Sequence, residues 1–281
     1  MIDFVLEQLE LLPFLFAVYL ALEWLEVHAG GALEKCLERA RSIGPAAAAL
    51  AGVFPQCGFS AVAASLYSGG IITIGTLLAV FLSTSDELIP VMIGAKAPAG
   101  LIVKIVAVKT VSALVAGFLV NAFVVLFRGS NVPVAKVDEL CVHSRCSCRE
   151  HKGIVVPALI HTAEIFAFVF AVSALVELAL HFFGAGALES LALNRPVSGA
   201  FVGALIGLVP NCAVSAAAAG LYVEHPELIS SGALMASSFT GCGVGMLVLF
   251  RTNRNLRQNL AVLALVAVAG MLLGMAAGCL I

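Results

Sequence analysis

The sequence has few charged residues, and this scarcity excludes most classes of soluble protein. Asp, Glu, Lys and Arg make up 11% of the 281 residues, whereas hydrophobic types make up 61%. Soluble domains contain about 25% charged and about 45–50% apolar residues. A water-soluble enzyme, a nucleic-acid-binding protein and a disordered chain are therefore excluded. The chain is predicted to be an all-α polytopic membrane protein that lies in the lipid bilayer and binds no nucleic acid.

Motifs of several enzyme and pump classes are also absent. The chain has no Gly-x-x-x-x-Gly-Lys phosphate loop and no HExxH zinc motif. No nucleophile–base pair stands out, which argues against an intramembrane enzyme. The eight cysteines do not form the framework of a small secreted disulfide protein. We therefore expect no enzymatic activity and no ATPase built into the chain.

Long apolar runs are what the sequence does contain. A helix that crosses a bilayer needs about 20 apolar residues. Candidate blocks are Leu11–Val27, Gly44–Tyr67, Ile71–Ala95, Leu101–Phe127, Ile154–Phe183, Pro196–Tyr222, Leu228–Phe250 and Leu260–Ile281. One polar segment interrupts them, which predicts a first transmembrane repeat at 1–127, a linker at 128–153 and a second transmembrane repeat at 154–281.

The two halves are related by internal duplication. Gly52–Tyr67 aligns without gaps to Gly207–Tyr222, and nine of the sixteen positions are identical. The basic residues then indicate the topology. If all eight blocks cross the membrane, the loops carry 8 Lys and Arg residues inside and 5 outside. If the second block of each half is instead a hairpin, 11 lie inside and 2 outside. The positive-inside rule favours the hairpins.

The predicted fold therefore has two inverted-topology repeats. Each repeat contains three membrane-crossing helices plus one re-entrant broken-helix hairpin, which gives ten helical segments. Inverted repeats with interrupted helices are typical of many secondary transporters. The linker is expected in the cytosol, and the N- and C-termini are expected outside.

Each predicted hairpin tip carries a proline followed by an amide and a cysteine, at residues 55–57 and 210–212. Proline breaks a helix, and non-helical backbone at membrane depth must line a cavity or be buried in protein. The helix that begins at each tip points its positive end toward the site. Capping of the broken helices by Gln and Asn is the alternative interpretation. Candidate residues on the ion path are Gln56, Cys57, Ser60, Asn211, Cys212 and Ser215.

A second pair of breaks lies in the third and seventh blocks. Residues 83–87 read Ser-Thr-Ser-Asp-Glu, and the matching residues 240–244 read Thr-Gly-Cys-Gly-Val. Only the first break carries carboxylates, as expected for one central site built from two unlike halves. Ionisable groups inside a bilayer are functional candidates by default, although both carboxylates could instead reach an aqueous vestibule. Candidates on the ion path here are Ser83, Thr84, Asp86, Glu87, Thr240 and Cys242.

Other ionisable residues within the apolar blocks are candidates for proton or charge coupling. A buried lysine could pair with a carboxylate of the site, whereas a lysine near the end of a block could reach the interface. The histidine and glutamate of the fifth block are as consistent with a helix-packing pair as with a proton relay. The candidates are Glu23, Glu177, Lys104, Lys109, His161 and Glu164.

The linker contains three thiols and two imidazoles within eleven residues. Such ligands can hold Zn(II) or a soft ion in tetrahedral geometry, and thiols are the expected state in the reducing cytosol. No cofactor is expected to be required beyond a metal ion, Zn(II) or the transported ion, bound at this linker. The candidate ligands are Cys141, His143, Cys146, Cys148 and His151.

These motifs together resemble the ten-helix heavy-metal exporters, whose members are named arsenic efflux proteins or manganese transporters. The resemblance rests on residues 54–60 and 81–87, the Cys/His linker, residues 208–212, and residues 241–245 followed by 249–253. It implies ten helical segments and transport of a metal or metalloid ion.

The predicted function is export of a metal or metalloid ion by a secondary transporter of the inner (cytoplasmic) membrane. Oxygen ligands suit Mn(II), whereas cysteine thiolates suit As(III). One alternative is a transporter of an organic or lipidic anion held at the hairpin helix N-termini, with Lys104 and Lys109 nearby. A second alternative is a membrane-embedded metal sensor that acts through the linker. The substrate partner is thus a small inorganic ion or a small anion, and a homo-oligomer is compatible with the sequence.

Cysteine labelling tests the predicted topology. We expect reporter cysteines on either side of Gly44–Tyr67 to react with a membrane-impermeant maleimide from the same face, because a hairpin returns the chain to the side it entered. Reporters flanking Leu101–Phe127 are the control and should react from opposite faces. Labelling of the Gly44–Tyr67 reporters from opposite faces would exclude both the hairpin and the inverted repeat.

Overall fold

The computed structural model describes residues 43–53, 58–84, 88–128, 193–209 and 212–281, together with isolated helical positions between residues 12 and 20 and between residues 155 and 178. The regular secondary structure of these residues is helical. Within the described residues, four helical stretches are long and apolar enough to cross a membrane: Ile74–Gly94, Ala99–Phe127, Ser231–Thr252 and Leu256–Gly278. The chain is therefore a multi-pass membrane protein, as its composition predicted.

The helices follow the same order in both halves. In the first half, the helices are α1 (43–51), α2 (Gly58–Ser68), α3 (Ile74–Ser83), α4 (Leu88–Gly94) and α5 (Ala99–Arg128). In the second half, the helices are α6 (Pro196–Gly207), α7 (Cys212–Glu224), α8 (Ser231–Thr240), α9 (Gly243–Thr252) and α10 (Leu256–Gly278). Each predicted hairpin block thus holds two short helices, and the third and seventh blocks are each split into two.

The short helices are about half the length that a bilayer crossing needs. The helices α6 and α7 have 12 and 13 residues, against about 20 for a full crossing. This is the length expected for two arms of a re-entrant hairpin, and the re-entrant geometry itself stays a prediction. The third helix of each half starts in the same way, because the Thr73 hydroxyl caps α3 and the Ser230 hydroxyl caps α8.

A close helix crossing is repeated in the two halves. Gly117 of α5 lies against Ala79 of α3, and a Cβ added at Gly117 would lie 2.9 Å from the Ala79 Cβ. Gly274 of α10 lies against Ala236 of α8 at 2.5 Å by the same measure. The two glycines are separated in the chain by as many residues as the two alanines. Small residues let membrane helices approach closely, so the duplication seen in the sequence extends to these packing positions.

Helices of each half pack against helices of the other half. Helix α2 of the first half packs against α9 of the second, and α7 of the second half packs against α4 of the first. The broken-span helices α3 and α8 contact each other, and so do α5 and α10. This pattern is unchanged when the halves are exchanged, which agrees with two related repeats. Their inverted orientation in the membrane stays a prediction.

The interrupted membrane-spanning stretches are largely buried in the protein, whereas the uninterrupted ones lie at its surface. About 78% of the Ser231–Thr252 span is buried, against 11% of Ala99–Phe127. The outer helix α5 exposes large apolar side chains such as Phe123 and Leu126. Exposed apolar side chains on a bilayer-spanning helix match lipid contact. The breaks in α3–α4 and α8–α9 therefore lie in the protein interior.

Substitution of Gly274 by alanine tests the repeated crossing. We expect Gly274→Ala to lower the free energy of unfolding by about 1–3 kcal/mol, because the added methyl group overpacks the contact with Ala236. Gly220→Ala on α7 is the control, because no heavy atom lies within 4 Å of its added Cβ, and alanine favours the helix by up to about 1 kcal/mol. Thermal unfolding in detergent, followed by circular dichroism, measures both. Equal melting temperatures would contradict the crossing.

Candidate functional site

The two broken spans bring helix C-termini into the protein interior. Helix α3 ends at Ser83 and is capped by Thr84, and helix α8 ends at Thr240, followed by Gly241. The side chains of Ser83, Thr84 and Thr240 are buried. The last carbonyl groups of a helix have no partner within the helix, and they carry the negative end of its dipole. Each break therefore contributes oxygen atoms with partial negative charge.

The hydroxyl groups at the breaks donate to backbone carbonyls. The hydroxyls of Ser83 and Thr84 both donate to the carbonyl of Val80, at 3.1 and 2.7 Å. The Thr240 hydroxyl lies 2.9 Å from the carbonyl of Ala204 on α6, to which it donates. A hydroxyl that donates its proton keeps its oxygen lone pairs as acceptors. These side chains can therefore present oxygen to a cation.

Lys109 of α5 lies between the two helix ends. Its side chain is 1% exposed, and its Nζ donates to the carbonyl of Thr84 at 2.5 Å. The same Nζ donates to the carbonyl of Ser238 at 2.8 Å and to the Ser238 Oγ at 2.7 Å. The ring of Phe239 lies 5.9 Å from Nζ. One ammonium group thus bridges the first half, at Thr84, and the second half, at Ser238.

The electrostatics of this arrangement favour positive charge. A lysine can donate to the last carbonyls of a helix and interact favourably with its negative end. Lys109 does this for α3 and α8 together, because Thr84 directly follows α3 and Ser238 belongs to the last turn of α8. An unpaired ammonium would be costly at membrane depth. The space between the two breaks is thus suited to a cation.

The first short helix of each predicted hairpin block leads to the neighbouring break. A Cβ added at Gly52, just after α1, would overlap the Ser83 hydroxyl, and one added at Gly207 of α6 would overlap the Thr240 hydroxyl. Ser83 and Thr240 occupy equivalent positions in the two halves. Only glycine permits this approach, so the segment leading toward each predicted tip lies directly against a break.

Two candidate serines lie near the second break, which is the interruption between α8 and α9. Ser60 of α2 is buried, and a Cβ added at Gly245 of α9 would lie 2.7 Å from its Cβ. Ser215 of α7 is half-buried, and its Oγ would lie 3.4 Å from a Cβ at Gly241. Cys242 is also buried at this break. The structure therefore brings residues of both predicted tip helices to the second break.

Several predicted site residues lie outside the described part of the chain. These are Gln56, Cys57, Asp86, Glu87, Asn211, Glu23, Glu177, His161 and Glu164, and the linker residues Cys141, His143, Cys146, Cys148 and His151. The backbone of Cys212 begins α7, and its side chain is among the positions not described. Their roles stay predictions. In the sequence, Asp86 follows Thr84 by two residues.

Lys104 and Lys109 have different environments although they share helix α5. Lys104 is exposed, which agrees with a lysine that extends toward the membrane interface. The structure therefore does not bring Lys104 to the breaks. Among the described residues, no group of three or more His, Cys, Asp and Glu side chains comes together to hold a metal ion. The described potential ligand atoms at the breaks are carbonyl and hydroxyl oxygens and the thiol of Cys242.

Ser238 is a site residue that the sequence did not reveal. Its hydroxyl and carbonyl both accept hydrogen bonds from Lys109, and it lies two residues before the predicted break residue Thr240. The available signal was the pair Ser237–Ser238 within an apolar block. A serine at membrane depth commonly bonds to its own helix, so sequence alone did not distinguish it from Ser237, which does so.

Comparison with known proteins gives one family match. The family described as "Putative, 10TM heavy-metal exporter" matches residues 11–194, which is more than half of the chain. No curated protein and no solved structure matches the sequence. The matched range includes Thr84 and Lys109, and Ser238 lies beyond it.

The two neighbouring serines of α8 provide a matched test of the Lys109 contact. We expect Ser238→Ala to lower the free energy of unfolding by about 1–3 kcal/mol, because a buried ammonium loses an acceptor. Ser237→Ala removes only a bond to the carbonyl of Leu234 in the same helix, and we expect a loss below about 1 kcal/mol. Thermal unfolding in detergent measures both variants. A Ser237→Ala variant that is destabilised as much as Ser238→Ala would contradict the assigned contact.

Proposed function

We propose that this chain, which belongs to the family of 10TM heavy-metal exporters, exports a metal or metalloid ion as a secondary transporter. The family match covers residues 11–194. The observation that carries the proposal is the buried ammonium of Lys109 between the C-terminal ends of α3 and α8. It marks a polar centre between the two repeats, where a transported cation would find oxygen ligands.

The broken helices support a transport site at this centre. Irregular backbone at membrane depth is tolerated where it is buried in protein or lines a cavity. Secondary transporters bind their substrates at discontinuous helices near the midplane, between structural repeats. Here α3–α4 and α8–α9 are both interrupted, and Thr84 and Ser238 next to the interruptions contact the same lysine. We infer that the ion passes between the two breaks.

The chemistry of the ligands supports a hard cation over a soft ion. Carbonyl, hydroxyl and carboxylate oxygens suit Mn(II), whereas thiolates suit As(III). The three hydrogen bonds from Lys109 to Thr84 and Ser238 have oxygen acceptors, and Asp86 and Glu87 would add carboxylates. Thiolate ligation would require Cys57, Cys212 or Cys242 to face the ion. Lys109 donates to protein acceptors and Lys104 is exposed, so the anion alternative has less support.

The remaining features of the proposal follow from the sequence. We propose that the protein lies in the cytoplasmic membrane, with the Cys/His linker in the cytosol, and that it is not an enzyme. The linker would bind Zn(II) or the transported ion before the ion enters the membrane. A metal sensor that acts through the linker would transport no ion, and deletion of Cys141–His151 would abolish its response to metal. Full ion flux in the deletion variant would therefore exclude the sensor.

An uptake assay tests the function and the role of the carboxylates. Proteoliposomes are assayed with Mn(II), Zn(II), Fe(II), arsenite and organic anions, and we expect uptake of Mn(II). Asp86→Asn and Glu87→Gln should each lower Mn(II) uptake by about tenfold or more, because a charged ligand is lost. Glu227→Gln is the control, since Glu227 is an exposed loop residue beside His225. Failure of the wild type to take up any metal or metalloid would refute the proposed function.

Substitution of the tip cysteines identifies the ligand class. We expect the double variant Cys57→Ser, Cys212→Ser to keep Mn(II) uptake within about twofold of the wild type, because oxygen ligands are expected to bind this ion. The same assay with arsenite provides the comparison. Loss of Mn(II) uptake in the double variant would show that the thiols take part in ion binding.

A further inference from the structure

We propose that Lys109 is a resident cation of the transport site and that the transported metal ion competes with its ammonium group for the same oxygen atoms. The inference rests on the proposed metal transport and adds how the empty site is stabilised and how the ion is released. Lys109 would thereby set the affinity of the site. The ammonium leaves its oxygen contacts when the metal ion enters and returns to them after the ion departs.

The atoms around Lys109 are those that a hard cation would use. Its Nζ lies within hydrogen-bonding distance of two backbone carbonyls and one hydroxyl, which belong to Thr84 and Ser238. Backbone carbonyl and carboxylate oxygens coordinate hard metal ions in proteins. Two positive charges that share one small set of oxygen atoms repel each other strongly away from bulk water. Binding of a metal ion there therefore requires displacement of the ammonium.

The equivalent position in the second half of the chain indicates that Lys109 is not required for packing. The position of α10 that corresponds to Lys109 is Val266, and both side chains are buried. The correspondence uses the same offset that relates Gly117 to Gly274. The fold thus accepts a short apolar side chain at this position of the repeat. The ammonium is present only in the half whose break carries Asp86 and Glu87, which associates its charge with the ion site.

A resident cation has two consequences for transport. The carbonyls at the ends of α3 and α8 keep a positive partner while the site is empty, which avoids unpaired buried acceptors. The ammonium also competes with the bound metal ion, which lowers the affinity of the site and favours release. Because Lys109 contacts both halves, its displacement would loosen the link between the two breaks at the moment the ion binds.

Equilibrium binding of Mn(II) to the detergent-purified full chain tests the inference. Isothermal titration calorimetry is used on the wild type, Lys109→Met and Lys109→Gln. We expect both variants to bind Mn(II) about tenfold more tightly or better, because the competing charge is gone. In proteoliposomes loaded with Mn(II), both should release the ion more slowly than the wild type. The glutamine retains a hydrogen-bond donor for the carbonyls and serves if the methionine variant does not fold.

Lys104→Met is the matched control, because Lys104 is on the same helix and exposed, and its Mn(II) affinity should equal that of the wild type. A purely structural role of Lys109 predicts the opposite sign, since a disorganised site binds Mn(II) more weakly. Equal or weaker Mn(II) binding by both Lys109 variants would overturn the inference and leave the proposed function intact. Uptake of arsenite without any Mn(II) binding would also overturn it. A wild type that neither binds nor transports any metal or metalloid would instead refute the proposed function.

Discussion

The central interaction of the structure is the set of hydrogen bonds from the buried Lys109 ammonium, which joins the two broken helices. A lysine charge within a membrane protein must be matched by acceptors, and the last carbonyls of a helix are available because they have no partner within the helix. The ends of α3 and α8 provide these acceptors at Thr84 and Ser238. The breaks therefore provide the acceptors that a buried lysine needs, and the lysine provides a positive partner for both helix ends.

The protein combines a symmetric scaffold with an asymmetric centre. Small residues at equivalent positions, Gly117 with Ala79 and Gly274 with Ala236, build the same crossing in each half. The centre differs, because Lys109 corresponds to Val266 and the carboxylate-bearing break corresponds to one rich in glycine. Packing requires only that the small residues be kept in both copies. The proposed ion site between the two copies needs its charges only once, which is consistent with divergence at those positions.

Much of the fold could be predicted from the sequence. The third and seventh apolar blocks were expected to be interrupted, and the helices end at Ser83 and Thr240 as those breaks require. Apolar length and proline or glycine positions are local properties, so they are visible without the structure. The site was predicted less completely. Lys109 was a candidate for charge coupling, but its partner Ser238 lies 129 residues away in the chain and carries no local mark that separates it from Ser237.

The sequence alone determined that this is a duplicated, multi-pass membrane protein of the heavy-metal exporter family, because hydropathy, repeats and motifs are properties of residue order. Tertiary structure decided which polar residues meet. Helix α2 packs against the second half and α7 packs against the first, which depends on contacts between residues far apart in the sequence. The exposure of Lys104 and the burial of Lys109 depend on the same packing. Two lysines five positions apart on one helix have the same chemistry, and only the neighbours that the fold supplies give one of them oxygen partners from both halves.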